Sequence, residues 1–249
     1  MHRKFLLTAV AALALTAAAG GAIAKPTPAQ TAAVADKARP EADTARDAAR
    51  KPAEMLEFAG VKPGQTVVDM IPGGGYFTRI FSKAVGPKGV VYAVSGPVRD
   101  PSKPPAQDTI AADANYANVK SIHEPLAQGL TVPTPADLVW TSQNYHDVKN
   151  IKDIDMTAFN KAVFNSLKPG GVYVVLDHVA KAGATDATNT VHRIDPAVVK
   201  TEVEAAGFKF EGESDLLRNP ADDHTTKSFD DGPLRGKTDQ FIYKFRKPK

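Results

Sequence analysis

A run of glycines behind a short apolar segment constrains the fold of this chain more than any other feature. Residues 67–71 are apolar apart from one acid, Asp69, and residues 76–85 have helical spacing. Between them stand three consecutive glycines: Gly73, Gly74 and Gly75. A strand that turns tightly into a helix has this order, and the free N–H groups of such a helix bind nucleotide-like ligands. The sequence therefore predicts a strand, a ligand-binding loop and a helix in succession.

The rest of the chain alternates between apolar strand-like runs and helical segments. Strands are predicted at 66–71, 90–94, 119–123, 137–140, 172–176, 208–214 and 240–245, and helices at 41–59 (broken at Pro52), 76–85, 106–117, 155–167 and 196–206. Such alternation predicts an α/β fold with a mostly parallel sheet and helices on both faces. The last two strands have no helix between them, which predicts a final antiparallel strand.

The first 24 residues have the pattern of a Sec signal peptide. Arg3 and Lys4 precede an uncharged stretch rich in Ala and Leu, and residues 22–24 offer a small-x-small cleavage site. We expect export to the periplasm or beyond the cell, with a mature chain that has no membrane span. Residues 25–40, rich in Ala, Pro and Thr, are expected to be a flexible leader, and residues 41–249 a single domain.

Charge and composition exclude several partners. Loss of Arg3 and Lys4 reduces the formal charge from +3 to +1, and no large basic block remains, so no nucleic-acid partner is expected. The chain has no cysteine, so neither a disulfide nor a lipid anchor on cysteine is available. The oligomeric state is left open by the sequence.

With these motifs in order, the sequence resembles the class I methyltransferases that use S-adenosylmethionine. The resemblance covers residues 54–245 and rests on four segments: the acid–glycine stretch ending at Gly75, the second strand 89–94, the fourth strand 137–140, and the Leu-Lys-Pro-Gly-Gly segment 167–171. It implies a Rossmann-like sheet of seven strands, S-adenosylmethionine as cofactor, and a small-molecule acceptor.

The resemblance also implies cofactor-binding residues, namely Asp69, Gly73, Gly74, Gly75, Ser95, Asn144 and Tyr145. Two positions depart from the family pattern. Ile71 stands where the family usually has its first loop glycine, and Ser95 stands where an acid usually binds the ribose hydroxyls. A hydroxyl forms weaker hydrogen bonds than a carboxylate, and Asp100 is a candidate to replace that acid. Asp69 could instead cap the turn, and Tyr145 could be core packing.

The histidines supply candidates for proton transfer. All five that follow residue 24 are predicted at the ligand-binding edge of the sheet. His146, beside Asp147, and His178, beside Asp177, are the candidate catalytic bases; capping or surface roles are the alternative. A metal site built from His146, His178, His192 and a nearby Asp lacks a recognised spacing, so no metal is predicted. Asp195 before Pro196 is expected to cap the last helix.

The connection 215–239 is long enough to form a lid over an acceptor pocket. Its candidate contacts are Arg218, Asp223, His224 and Arg235. The sequence thus predicts an enzyme, a methyltransferase of unknown acceptor. The alternative is an exported, non-catalytic binding or accessory protein that keeps this fold; a metal-assisted hydrolase on the same scaffold is a third hypothesis.

Overall fold

The computed structural model describes residues 25–228, 234 and 236–249, so the predicted signal peptide lies outside the described residues. Seven strands form one sheet in the order β3-β2-β1-β4-β5-β7-β6. They are β1 (Thr66–Met70), β2 (Val90–Ser95), β3 (Val119–His123), β4 (Ala136–Ser142), β5 (Leu167–His178), β6 (Lys209–Ser214) and β7 (Gln240–Arg246). Strands β1 to β5 are parallel, and β7 is antiparallel to both β5 and β6. The predicted fold class is confirmed.

Helices cover both faces of this sheet. They are α1 (Pro28–Val34), α2 (Glu41–Thr44), α3 (Asp47–Arg50), α4 (Pro52–Ala59), α5 (Tyr76–Val85), α6 (Ala106–Ala112), α7 (Tyr145–Lys149), α8 (Met156–Ser166), α9 (Ala187–Thr190) and α10 (Pro196–Ala205). Asp195 caps α10 by accepting from the N–H of Ala197, as predicted. None of the helices in the described ranges is long and apolar enough to span a membrane.

The strands appear in the sequence as continuous apolar runs because the sheet is buried on both faces. All five residues of β1 are buried, and successive side chains enter opposite core layers. Trp140 of β4 is fully buried, and its ring lies 4.7 Å from that of Phe77 on α5. This contact fixes α5 against the sheet, and with it the loop that precedes α5.

The N-terminal segment differs from its prediction. Residues 28–34, expected within a flexible leader at 25–40, form α1, which packs on α5. Thr27 and Gln30 form a reciprocal capping box, which supplies partners for the free N–H groups at the start of the helix. Buried Gln30 also donates to the carbonyl of Val61 at 3.0 Å. The local cap and one long-range contact explain the helix, since the segment lacks apolar periodicity.

The predicted break at Pro52 is confirmed, but the helix before it is itself divided into α2 and α3. Lys51 has a φ of 45°, which ends α3 directly before Pro52. Arg46 and Arg50 belong to this irregular region, and both reach the carboxyl edge of the sheet. The N-terminal helices therefore contribute side chains to the site described next.

Candidate active site at the carboxyl edge of the sheet

Two adjoining clefts open where β1, β4 and β5 end. The first, the glycine-loop cleft, has a volume of about 210 Å³. Its walls are formed by Arg46, Arg50, Asp69, Ile71, Pro72, Gly73, Gly74, Tyr76, Phe77, Ser142, Gln143 and Asn144. Five of the seven predicted cofactor-binding residues are thus at or next to one cleft, with Gly75 immediately after its glycines.

Asp69 points into the glycine-loop cleft from the end of β1, where it is almost fully buried. Burial raises the pKa of its carboxyl to about 6, although the hydroxyl of Thr78 and the charge of Arg50 oppose the shift. Thr78 Oγ1 donates to Asp69 Oδ2 at 2.6 Å. The carboxyl group therefore holds the first turn of α5 through one of its oxygens.

The glycine loop adopts a left-handed backbone at three positions. Gly73 and Gly75 have φ angles of 55° and 78°, values that glycine adopts readily. Ile71, where the resemblance expects a glycine, has a φ of 56° and so carries strain that is unusual for a β-branched residue. Asn144 Nδ2 donates to the carbonyl of Ile71 at 3.0 Å and stabilises this conformation.

Arg50 is the main cation of the glycine-loop cleft. Its guanidinium lies 4.5 Å from the centre of the Tyr76 ring and 5.0 Å from that of Phe77, and it donates to Ser142 Oγ at 3.1 Å. Burial and the neighbouring Arg46 lower the pKa of Arg50. Within the described residues, no carboxylate lies within salt-bridge distance of it. A desolvated guanidinium of this kind is a strong binding group for an anion.

Ser95 belongs to a polar chain at the ends of β2 and β3. Its hydroxyl lies 3.2 Å from His123 Nδ1, and His123 Nε2 lies 2.7 Å from Asp108 Oδ1. Burial opposes ionisation of Asp108, but hydrogen bonds from Ser121 and His123 keep the pKa of Asp108 below its ordinary value. Asp100 instead forms a local turn with Ser102. The carboxylate linked to Ser95 through His123 is therefore Asp108, while Asp100 as a replacement for the acid stays a prediction.

The second cleft, the β5 cleft, has a volume of about 340 Å³. Its walls are formed by Arg46, Ala49, Arg50, Phe77, Gln143, Leu176, His178, Leu217, Ser228, Gly236 and Gln240. Four of these residues also line the glycine-loop cleft, so the two clefts are adjacent. Molecules bound in the two clefts would lie next to each other at these four residues. Three of the residues lining the β5 cleft, Leu217, Ser228 and Gly236, come from the 215–239 connection, and the predicted lid role of this connection stays a prediction.

His178 lies on the wall of the β5 cleft, at the end of β5. Its ring Nδ1 is 2.7 Å from Thr238 Oγ1. Burial lowers the pKa of His178 to about 4, despite the opposing charge of Asp177. The imidazole is therefore neutral near pH 7, and its Nε2 forms no hydrogen bond with any residue that the structure describes.

His146 lies behind this wall rather than on it. Its ring is 6.0 Å from that of His178, and its Nδ1 is 2.7 Å from Asp177 Oδ1. Burial disfavours the imidazolium, but the Asp177 carboxylate outweighs burial and raises the pKa of His146. On its other side the ring of His146 faces His192, at 5.5 Å between centroids. His146 is thus in a histidine cluster with His178 and His192.

Comparisons with known proteins agree with this architecture. No family model matches the chain. The chain is 31% identical over 123 residues to the ubiquinone/menaquinone biosynthesis C-methyltransferase of Hydrogenovibrio crunogenus. This match covers 49% of this chain and 45% of the relative. The chain therefore spans about half the length of that curated relative.

Solved structures match over most of the chain. A SAM-dependent methyltransferase from Aquifex aeolicus is 17% identical with a TM-score of 0.58, covering 81% of this chain and 98% of the other. An S-adenosylmethionine-dependent methyltransferase from Clostridium acetobutylicum is 11% identical with a TM-score of 0.52, covering 81% and 91%. The chain has the class I methyltransferase fold. At these identities the likeness concerns the fold alone.

Within this methyltransferase fold, some predicted residues have other surroundings. Tyr145 is fully buried in the core, where its hydroxyl donates to Glu202 at 2.9 Å and accepts from Asn160 at 2.8 Å, so it lines neither cleft. Arg218 and His224 both bind Asp239. Asp223 accepts from backbone N–H groups in its own turn. Arg235 lies outside the described residues.

Sequence reasoning missed Arg50, Gln143 and Asp108. Arg46 and Arg50 stand four residues apart before Pro52, and two cations at that spacing repel each other on one helix face. This unfavourable pair is a signal that could have pointed to an anion site. Gln143 has a φ of 62° and lines both clefts, but nothing in the sequence marks it.

Proposed function

We propose that this chain is an S-adenosylmethionine-dependent methyltransferase that acts on a small molecule. One observation carries the proposal: the glycine-loop cleft is lined by a carboxyl group, Asp69, and by a guanidinium, Arg50, that forms no salt bridge with any carboxylate of the described residues. The amino-acid end of the cofactor carries an ammonium and a carboxylate. Asp69 is complementary to the ammonium, and Arg50 to the carboxylate.

The adenosine end of the cofactor would extend toward the ends of β2 and β3. A volume of about 210 Å³ suits the amino-acid end, not the whole cofactor. Ser95 and His123 supply hydrogen-bonding groups for ribose hydroxyls, and Asp108 orients His123 at 2.7 Å. Ser95, at the position of the family's acid, thus has beside it an imidazole that is held by a carboxylate. The polar groups fit the cofactor along its length.

The acceptor would occupy the β5 cleft, next to the cofactor. Bound S-adenosylmethionine supplies an electrophilic methyl group on a sulfonium. His178 would take a proton from an O–H or N–H of the acceptor, and the freed electron pair forms the bond to the methyl carbon as the S–C bond breaks. Because the pKa of His178 is low, its imidazole would pass the proton on to solvent. Alignment of the acceptor with the methyl group, across Phe77 and Gln143, supplies much of the rate enhancement.

The wall of the β5 cleft suggests the acceptor's character. Phe77, Leu176 and Leu217 offer apolar surface, while Arg46, which is paired with Asp43 at 2.8 Å, offers positive charge. A small acceptor with an apolar body and an anionic group fits these walls.

We also propose export through residues 1–24. An exported enzyme must obtain its cofactor outside the cytoplasm.

Calorimetric titration with S-adenosylmethionine and S-adenosylhomocysteine tests the proposal. We expect binding by the wild type and its loss in Asp69→Ala and Gly73→Val. Gly64→Val is the matched control, because Gly64 has a φ of 83° and open space around it, like Gly73, but lies in the loop before β1, at the opposite edge of the sheet. It carries similar backbone strain away from the cleft.

Absence of binding at millimolar ligand in a folded wild type would refute the methyltransferase function and favour the non-catalytic alternative. Equal loss of binding in Gly64→Val and Gly73→Val would also count against the assigned cleft. A fusion reporter that is active in the cytoplasm would exclude export.

A further inference from the structure

A cluster of three potential metal ligands lies beside the β5 cleft. His146 and Asp147 come from α7, and His192 comes from the connection between α9 and α10. One ligand atom from each residue lies within 4.8 Å of the other two. Neither cleft requires this arrangement, so it needs a separate explanation.

The distances within the cluster match those between ligands of one metal ion. His146 Nε2 and His192 Nδ1 lie 3.4 Å and 3.3 Å from the same oxygen, Asp147 Oδ1. Two bonds of about 2.0–2.1 Å at a tetrahedral angle separate their ligand atoms by roughly 3.4 Å. Two edges of a tetrahedron are therefore present.

His146 is oriented as a metal-binding histidine is. Its Nδ1 pairs with Asp177 Oδ1 at 2.7 Å, and Asp177 Oδ2 accepts from the His146 backbone N–H at 2.9 Å. The fully buried carboxylate fixes the ring and directs Nε2 toward Asp147. Imidazole ligands of metals typically make such a second hydrogen bond to a carboxylate, which sets the ring orientation and increases basicity.

His192 is held in place by the residue after it. Arg193 is fully buried and forms a two-pronged ion pair with Asp222, at 2.8 and 3.1 Å. It also donates to the carbonyls of Val179 and Thr226. His192 itself has a φ of 52°, a strained conformation that this anchor maintains. The anchor of the next residue thus helps to hold the backbone of His192 where its ring meets Asp147 and His146.

We propose that His146 Nε2, Asp147 Oδ1 and His192 Nδ1 bind a divalent transition-metal ion of the zinc class. Two imidazoles and one carboxylate favour such an ion over Mg²⁺ or Ca²⁺, which prefer oxygen ligands. The side chains of Asp147 and His192 are 48% and 33% exposed, so a fourth position faces solvent and can take water or a ligand oxygen. The inference does not depend on the proposed function.

Titration of the untagged, chelator-treated chain with Co²⁺ tests the site directly. We expect one Co²⁺ per chain, visible d–d absorption of tetrahedral strength, and displacement by Zn²⁺. The variants are Asp147→Asn and His192→Ala, which leave Asp177 paired with His146. Each should weaken binding by more than the roughly 10–100-fold that loss of an outer hydrogen-bond partner costs.

His224→Ala is the matched control. It also removes one imidazole, but that imidazole pairs with Asp239 at 2.9 Å and lies outside the cluster. Circular dichroism of each variant confirms folding before titration. Binding in His224→Ala should equal that of the wild type.

Failure to bind Co²⁺ or Zn²⁺ stoichiometrically would overturn the inference, and so would equal affinity in the wild type, Asp147→Asn and His192→Ala. S-adenosylmethionine titrations of the same samples keep the two proposals apart. A chain that binds Co²⁺ at this cluster but not S-adenosylmethionine retains the metal site and loses the proposed function.

Discussion

The glycine-loop cleft and the histidine cluster lie on the same edge of the sheet but are built differently. The cleft is formed largely by residues close in sequence, from Asp69 to Phe77, where a strand, a loop and a helix follow one another. The histidine cluster is held by contacts between residues far apart in sequence. His146 pairs with Asp177, 31 residues away, and Arg193, next to His192, pairs with Asp222, 29 residues away. The first is a local motif, whereas the second exists only in the folded chain.

This difference predicts different dependence on the rest of the fold. The glycine loop also receives a hydrogen bond from distant Asn144, but its own glycines adopt two of its left-handed turns, so it should lose less of its conformation when a distant contact is lost. A cluster whose members are brought together by buried ion pairs loses its geometry when one pair is broken. The predictions below test this contrast.

Arg193→Ala should give the largest effect. Removing the guanidinium leaves the buried carboxylate of Asp222 without its cation, which typically costs about 3–5 kcal/mol. Urea unfolding measures the loss, and Co²⁺ titration should show weaker binding under folding conditions. S-adenosylmethionine affinity of the folded fraction should change little.

Arg218→Ala is the control for Arg193→Ala. Arg218 also pairs with an aspartate through two hydrogen bonds, but its side chain is 43% exposed. Asp239 is buried, but it keeps the backbone N–H of Asn219 and the ring of His224 as partners, so Arg218→Ala should cost less stability than Arg193→Ala. Similar losses in both variants would show that burial of Arg193 does not matter and would break the comparison.

The same contrast decides what could be predicted from the sequence. The fold was predictable because apolar runs and glycines are local signals, and β1, α5 and β3 lie where the patterns place them. The pairing of His146 with Asp177 and the strained position of His192 depend on strand order and loop paths. Arg50 was missed for the same reason, since its helix contacts the cleft through tertiary packing alone.

The two regions should also respond oppositely to pH. Asp69 has a pKa of about 6 when folded, above its ordinary 3.8, so the folded chain holds an extra proton between those values. Its contribution to the free energy of unfolding falls as pH rises through that window. His178 has a folded pKa of about 4, below its ordinary 6.5, so the unfolded chain holds the extra proton and stability rises with pH.

Denaturant unfolding between pH 4 and 6.5 measures these slopes. Compared with the wild type, Asp69→Asn should make the slope of stability against pH more positive, and His178→Gln should make it more negative. Each total contribution is about 3 kcal/mol, at about 1.4 kcal/mol for one pKa unit. Slopes that change in the same direction would contradict the assigned burial of one of the two groups.

Arg50→Met should weaken cofactor binding at one end only. A hydrogen bond to a charged group contributes about 1.5–3 kcal/mol, which predicts a loss of roughly 10–100-fold in S-adenosylmethionine affinity. Methylthioadenosine lacks the amino-acid carboxylate, so its affinity should be the same in the wild type and the variant. Calorimetry with both ligands makes the comparison; an equal loss for both would show that Arg50 supports the fold rather than the carboxylate.

The smallest effect concerns the strained backbone at Ile71. Ile71→Gly and Ile71→Ala remove nearly the same side chain, but glycine alone adopts a φ of 56° without strain. A left-handed conformation costs other residues about 1–2 kcal/mol, so the glycine variant should be more stable than the alanine variant by about 1 kcal/mol. At Val90 on β2, the same two substitutions should rank in the opposite order, since glycine weakens a strand. Chemical denaturation of the four variants gives both differences. If alanine were the more stable replacement at position 71 as well, the loop would not hold its left-handed conformation, and its independence from distant contacts would fail with it.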